Sequence, residues 1–411
     1  MDYPYFLSGW PKGVDNIHAD HELSPDTLRR GVNIDVMDSG AVRRRKGHTL
    51  VTALASAHSM WGNGQAAYFI RDNSLYRFYE GSPAAALGAF AAGANRAAYV
   101  GVDSDVFVTS ATARGVIRGG AVVPWGINVP ATPPVVAATT GVLPPGNYFL
   151  AVTYVDADGR ESGASAQTKI TLSTAGGVAT TAMPVSLEAA VTRKRLYIST
   201  TDGEILYMAA EVAAAAQFVS ISTLPTGAEL RTAHLSPPPF GVALAHFNGK
   251  VYIVDAMDSS VVWFTEALDY DHVNIRKNYY KFGAPVTVIA AVDDGVYFVA
   301  DQTWFISGAG GDAPVRRPVL EATGILGSEA SIPDTTDVIW MSDRGAVIGK
   351  NGGEVQVLSG KQVSTGDMID GAAFVREQDS VRQYVMVGGS KDTSALQAGS
   401  YAEAEVIRRA G

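Results

Sequence analysis

Arg43, Arg44, Arg45 and Lys46 form the one dense basic run of the chain. Their chemistry is contact with DNA phosphates or with an acidic partner protein. On a strand, Arg43 and Arg45 would share one face and Arg44 and Lys46 the other. The plain alternative is a solvated strand whose charges discourage edge-to-edge pairing. Other polar clusters offer less. Asp156-Ala157-Asp158-Gly159 opens like a calcium loop, but the twelfth position is Gln167, which cannot supply a bidentate carboxylate, so a β-turn is the reading. His18 and His21 stand beside Asp20 and Glu22 without a third ligand that the sequence identifies, and read as a solvated loop. Asp269-Tyr270-Asp271-His272 suits an ion or a sugar, or a loop between sheets with Tyr270 packed and the carboxylates wet. Trp61, Trp263, Trp304 and Tyr270 either stack on sugars or fill gaps between sheets.

Catalytic signatures are missing. There is no Gly-x-Ser-x-Gly elbow and no phosphate loop ending in Gly-Lys-Ser/Thr. Gly308-Ala-Gly-Gly311 lacks the lysine and reads as a loop, and Asp293 and Asp294 sit at the tip of an expected hairpin, where they favour the turn. The chain has no cysteine, which removes disulfides, cysteine–zinc sites and thiol nucleophiles and fits synthesis in a reducing cytoplasm. No catalytic, cofactor or metal residues are expected, and the protein is read as a non-enzyme. The net charge of −9 argues against a tight grip on nucleic acid, though not against a surface past which DNA slides. No signal peptide and no run of 18 apolar residues is visible, so no membrane segment is expected.

The elements that would position these residues are short strands. Ala243-Leu-Ala-His-Phe-Asn-Gly-Lys-Val-Tyr-Ile-Val254 and Val288-Ile-Ala-Ala-Val-Asp-Asp-Gly-Val-Tyr-Phe-Val299 each alternate apolar residues around a turn expected to need positive φ. They lie about 45 residues apart, the period of propeller blades. Looser copies occupy 66–78, 96–109, 338–357 and 372–387. After Pro130-Ala-Thr-Pro-Pro134 the pattern changes to the longer alternation of Gly146–Val155, followed by more short strands, before blade-like sequence resumes at Gly241. The expected fold is all-β: a β-propeller of five to seven blades with an inserted immunoglobulin/fibronectin-like β-sandwich. Residues 1–127 would hold an N-terminal arm and the first blades, 128–235 the sandwich, 236–391 the remaining blades, and 392–411 a tail that is either a short helix or disordered alone. A short helix is also expected at Ser24-Pro25-Asp26, ended by Gly31.

Three segments carry a resemblance. They are Gly13-Val-Asp-Asn-Ile17, Leu23-Ser-Pro-Asp-Thr-Leu-Arg-Arg-Gly-Val-Asn-Ile-Asp35 and Ser39-Gly-Ala-Val-Arg-Arg-Arg-Lys-Gly-His48, supported by His58-Ser-Met-Trp61 and Val338-Ile-Trp-Met-Ser-Asp-Arg-Gly345. Together they resemble the tail nozzle or hub proteins of short-tailed bacteriophages, the DNA-stabilisation type of β-propeller. The resemblance implies a structural virion protein that forms a homohexameric ring below the portal and adaptor. It would extend the DNA channel and help retain packaged DNA until ejection. Its partners would be copies of itself, the adaptor, a tail fibre or tail-tip protein, and genomic DNA passing without sequence-specific contact. The protein would be made in the host cytoplasm and reside in the virion tail. The alternative reading is a receptor- or carbohydrate-binding propeller of a phage tail.

Overall fold

The structure, a computed structural model, describes residues 9–31, 34–37, 39–44, 56–358, 362–363, 368–378, 381–390 and 405–408. It is all-β: the described residues form no α-helix, only a 3₁₀ turn at Asn351–Gly353. Five four-stranded antiparallel meanders follow one another along the chain. The first spans His58–Gly62 to Ala85–Ala89 and the second Ala97–Val102 to Ala121–Val123. The third runs from Gly241–Phe247 to Tyr279–Lys281, the fourth from Val288–Val292 to Val315–Leu320, and the fifth from Ala330–Ser331 to Val355–Val357. A sixth sheet holds three strands, Met368–Gln378, Val381–Ser390 and Glu405–Arg408.

Successive sheets are sealed to each other by separate apolar clusters, and this serial face-to-face packing is the arrangement of propeller blades. Ile70 and Leu75 meet Val106 and Val108 between the first and second blades. Phe107 and Trp125 meet Leu244 and Ile253 between the second and third. Tyr252 and Phe264 meet Phe298 and Ile306 between the third and fourth. Tyr297 and Phe305 meet Trp340 between the fourth and fifth, and Ile339 and Met341 meet Tyr384 and Met386 between the fifth and sixth. Trp340, from the segment 338–345, is fully buried against Tyr297, and Gly349 leaves the room its ring needs.

Between the second and third blades, two further sheets face one another across a shared core. One is ordered Val135–Leu143, Gly176–Ala182, Ser220–Ile221, and the other Thr168–Leu172, Gly146–Asp156, Val191–Ser199, Leu206–Ala213. Val178 and Ile221 from the first sheet pack on Tyr148, Leu150, Leu196 and Ile198 from the second.

Several expectations are corrected. Ser24–Thr27 makes a turn, with the Thr27 amide donating to the Ser24 carbonyl at 2.9 Å, and no helix. Backbone bonds explain this: Leu28 donates to Gly13 and accepts from Asp15, so the segment after Pro25 is drawn into a bridge with Val14. The Asn248-Gly249 turn has positive φ at both residues, but the Asp293-Asp294 turn has it at neither. Its conformation is fixed instead from the fifth blade. Asn351 Oδ1 accepts the Asp293 amide at 3.0 Å, and Asp294 Oδ2 accepts the Gly352 amide at 2.8 Å. Within the expected tail, Glu405–Arg408 pairs antiparallel with Gln383–Met386, so these four residues are strand and not helix.

Candidate interaction site

Arg43 and Arg44 lie on the strand Val42–Arg44, which pairs with Ile34–Val36 and sets Arg43 opposite Asp35. Asp35 is buried, and its Oδ1 is 3.6 Å from Arg376 Nη2 in the sixth blade. The ribbon is thus tied to the propeller by a carboxylate, while Arg44 is exposed. Arg45 and Lys46 lie outside the described residues. The arm before the ribbon makes a second tie, the Asn16 amide to the Gln362 carbonyl at 2.8 Å. His18 Nδ1 is 2.8 Å from Asp15 Oδ2, and Asp15 Oδ1 also accepts the Ile17 and His18 amides. That pair is local turn chemistry.

At the start of the second blade, Arg96 reaches across to the opposite side of the series. Its Nη1 donates to the Leu326 carbonyl at 3.3 Å and to the Gly371 carbonyl, at the entrances of the fifth and sixth blades. Gly327 is needed there twice over: its φ is +74°, and a Cβ would collide with the Arg96 guanidinium. Close by, Glu329 is half-buried, and its Oε2 is shielded from water with no hydrogen-bond partner among the described residues. Burial pushes this carboxyl up to about 7, with the Arg96 charge acting against the rise.

The Asp269–His272 cluster anchors the two inserted sheets. His272 Nδ1 is 2.7 Å from Asp269 Oδ2, and Nε2 is 2.7 Å from the Glu161 carbonyl. Both ring nitrogens face acceptors, an arrangement that suits the imidazolium. Burial opposes the charge, but Asp269 and the Glu161 carbonyl outweigh it and raise the pKa above its ordinary value. Arg160 bridges the same junction, from Asp156 Oδ2 at 2.7 Å to Asp271 Oδ2 at 3.1 Å. Asp156 is therefore occupied by Arg160, in a turn where Gly159 has φ +84°. Trp125 Nε1 donates to the Tyr270 carbonyl at 2.7 Å, locking the linker as well.

Beside this junction is a cleft of about 340 Å³, lined among others by Arg114, Asn128, Asp255, Trp263 and Ile275. Trp263 Nε1 donates to Asp255 Oδ2 at 2.8 Å, and Asp255 Oδ1 accepts the Met257 and Asp258 amides, so ring and carboxylate are both held in place. Arg114 Nη2 donates to Asn128 Oδ1 at 2.8 Å, and the guanidinium lies 5.3 Å from the centre of the Phe240 ring. Burial lowers the pKa of Arg114, with the Glu188 carboxylate pulling the other way.

Only Trp263 of the four aromatic candidates lines this cleft. Trp61 stacks on Tyr99 at 5.8 Å between the first and second blades, and Tyr270 packs edge-on against Phe107. Trp304 is covered by the Arg316 guanidinium at 4.1 Å. The cleft as a whole was not legible in the sequence, because its residues come from the second blade, the linkers and the third blade.

No known protein-family profile matches the chain, and no curated protein matches it by sequence. Solved structures with a similar course of strands include the WD40 β-propeller domain of Doa1, with 10% identity, TM-score 0.29, and coverage of 83% of this chain and 92% of that one. YCF48 bound to D1 peptide shows 8% identity and TM-score 0.34 over 87% of this chain and 94% of that one. Kluyveromyces lactis Hsv2 shows 9% identity and TM-score 0.29 over 79% and 86%. Likeness at this level assigns no function.

Proposed function

We propose that the protein is a structural component of a bacteriophage tail, the nozzle ring below portal and adaptor, assembled as a homohexamer. The observation that supports this reading most is the way Arg96 ties the second blade to the entrances of the fifth and sixth. Blades tied across the series in this way work as a rigid block, and the reading puts the DNA channel between subunits. The acidic balance of −9 suits a lumen past which DNA moves without being held. Side chains such as Met60, Leu268 and Met257, exposed at 71%, 80% and 96%, supply apolar material for subunit contacts. The two inserted sheets are read as an immunoglobulin/fibronectin-like sandwich, held at a fixed angle by Arg160 and His272 and available to a neighbouring tail component. In this reading Arg44, exposed on the ribbon, is a residue of the basic run that meets DNA or the adaptor.

The test is the native mass by light scattering with negative-stain imaging, alone and with a portal–adaptor complex. A six-fold ring, free or on the adaptor, is the expected result. A monomer indifferent to the adaptor would overturn the reading.

A further inference from the structure

The cleft between the second and third blades has a composition that neither packing nor the nozzle reading uses. It joins one aromatic ring, one cation and one carboxylate across a volume suited to a small ligand. Each is fixed by the protein. Trp263 lines the cleft with its indole nitrogen pinned on Asp255 and its ring packed 5.4 Å from the Tyr279 ring, so its plane is fixed. Arg114 carries five donors, and among the described residues its only hydrogen-bond partner is Asn128 Oδ1. A half-buried guanidinium whose one side-chain hydrogen bond among the described residues goes to Asn128 can turn its other donors to a ligand carboxylate, which it binds in a two-pronged, charge-assisted contact. Asp255, which already takes the Trp263 indole and two amides, repels that carboxylate and has room for one hydroxyl donor, and Glu188, held by the Asn128 side chain, bars negative charge from the linker side. A ring face, a hydroxyl acceptor and a carboxylate receptor are together the complement of one kind of molecule.

We infer that this cleft binds an acidic saccharide unit, with its sugar ring on Trp263, its carboxylate on Arg114 and a hydroxyl on Asp255. A neutral sugar would use only the ring and the acceptor. An acidic peptide would use Arg114 but would bring no sugar ring for Trp263 and no hydroxyl for Asp255.

Isothermal titration of the full chain with tetragalacturonate and with maltotetraose tests this. The acidic tetramer should bind with Kd below about 1 mM, and at least about tenfold more tightly than the neutral one. Arg114→Gln should remove that preference, and Trp263→Ala should abolish binding of both. Asn128→Asp, at an exposed position, gives up its bond to Glu188 and places a carboxylate beside Arg114; it should weaken the acidic tetramer by about tenfold, and unchanged maltotetraose binding is the check that it still folds. Trp304→Ala, away from the cleft, should change nothing. Absence of binding at about 10 mM, binding indifferent to both Trp263→Ala and Asn128→Asp, or equal competition by poly-glutamate would each overturn the inference. None of these outcomes depends on whether the chain forms a ring.

Discussion

The Arg96 guanidinium occupies the space where a Cβ on Gly327 would stand, so a side chain at one position excludes a side chain at the other. This contact carries weight because no apolar cluster of the described residues joins the sixth blade to the first. Clusters join the first to the second, and so on to the sixth, and then stop. Among the described residues, polar contacts instead reach the sixth blade and the segment before it from the second blade and the N-terminal arm, among them Arg96 to Gly371, Asp35 to Arg376, and Asn16 to Gln362.

Gly327→Ala should therefore destabilise the protein by about 2–3 kcal/mol, from positive φ and the collision together. Arg96→Ala should cost about 1–2 kcal/mol by removing a charged donor from two half-buried carbonyls, of which Leu326 keeps the Gly371 amide. In the double variant the collision is gone, so the combined loss should fall short of the sum by about 1 kcal/mol. Urea denaturation of the four proteins gives the coupling, and strict additivity would show that the two residues do not share that space.

Glu329 predicts a pH dependence with a definite sign. Its folded pKa lies near 7 and its unfolded value near 4.5. Between these values the folded state holds the proton and the unfolded state has released it. Stability should therefore fall as pH rises through roughly 4.5–7, by about 1–3 kcal/mol from this group. Glu329→Gln should be more stable than the parent at pH 8 and equal to it near pH 4. The difference in denaturation midpoint between the two, followed against pH, checks this; a flat difference would count against it.

His272 works in the same direction, although it gains its proton by pairing and not by burial. Its folded pKa is raised, so its contribution is whole below the unfolded value near 6.5 and disappears as pH rises through the higher folded value. The junction it helps close should loosen on the alkaline side. Limited proteolysis at the linkers 128–134 and 235–240 should quicken between about pH 6 and pH 8 in the parent. In His272→Gln, cleavage should be fast at both pH values.

The parts legible in the sequence were those coded locally. Asn248-Gly249, flanked by alternating apolar residues, specified its hairpin through two positive φ values, and the repeated Val-Tyr strands marked blade interiors: Tyr252 and Tyr297 are both fully buried. Outer strands escaped notice. Ala85–Ala89 and Ala121–Val123 are short, and the first is mostly alanine and glycine with little strand preference; each is a strand because a neighbour's edge was open to it. Long-range relations left no local trace. Nothing near Arg96 in the chain points to Gly371, and nothing near Trp263 points to Arg114. Asp271 read as a wet loop residue, but it receives Arg160 from a turn more than a hundred residues earlier.

The place of the two inserted sheets also sets a timetable. The second blade ends at Val123 and the third begins at Gly241. A ribosome adding about 5–20 residues per second needs roughly 6–24 s to cross that interval. Throughout it, the face that carries Phe107, Val116 and Trp125 has no Leu244, Val251 or Ile253 to close on. The newborn two-blade fragment waits with its greasiest side uncovered, and the speed at which the insert is translated decides how long a chaperone, or another nascent chain, has to find it.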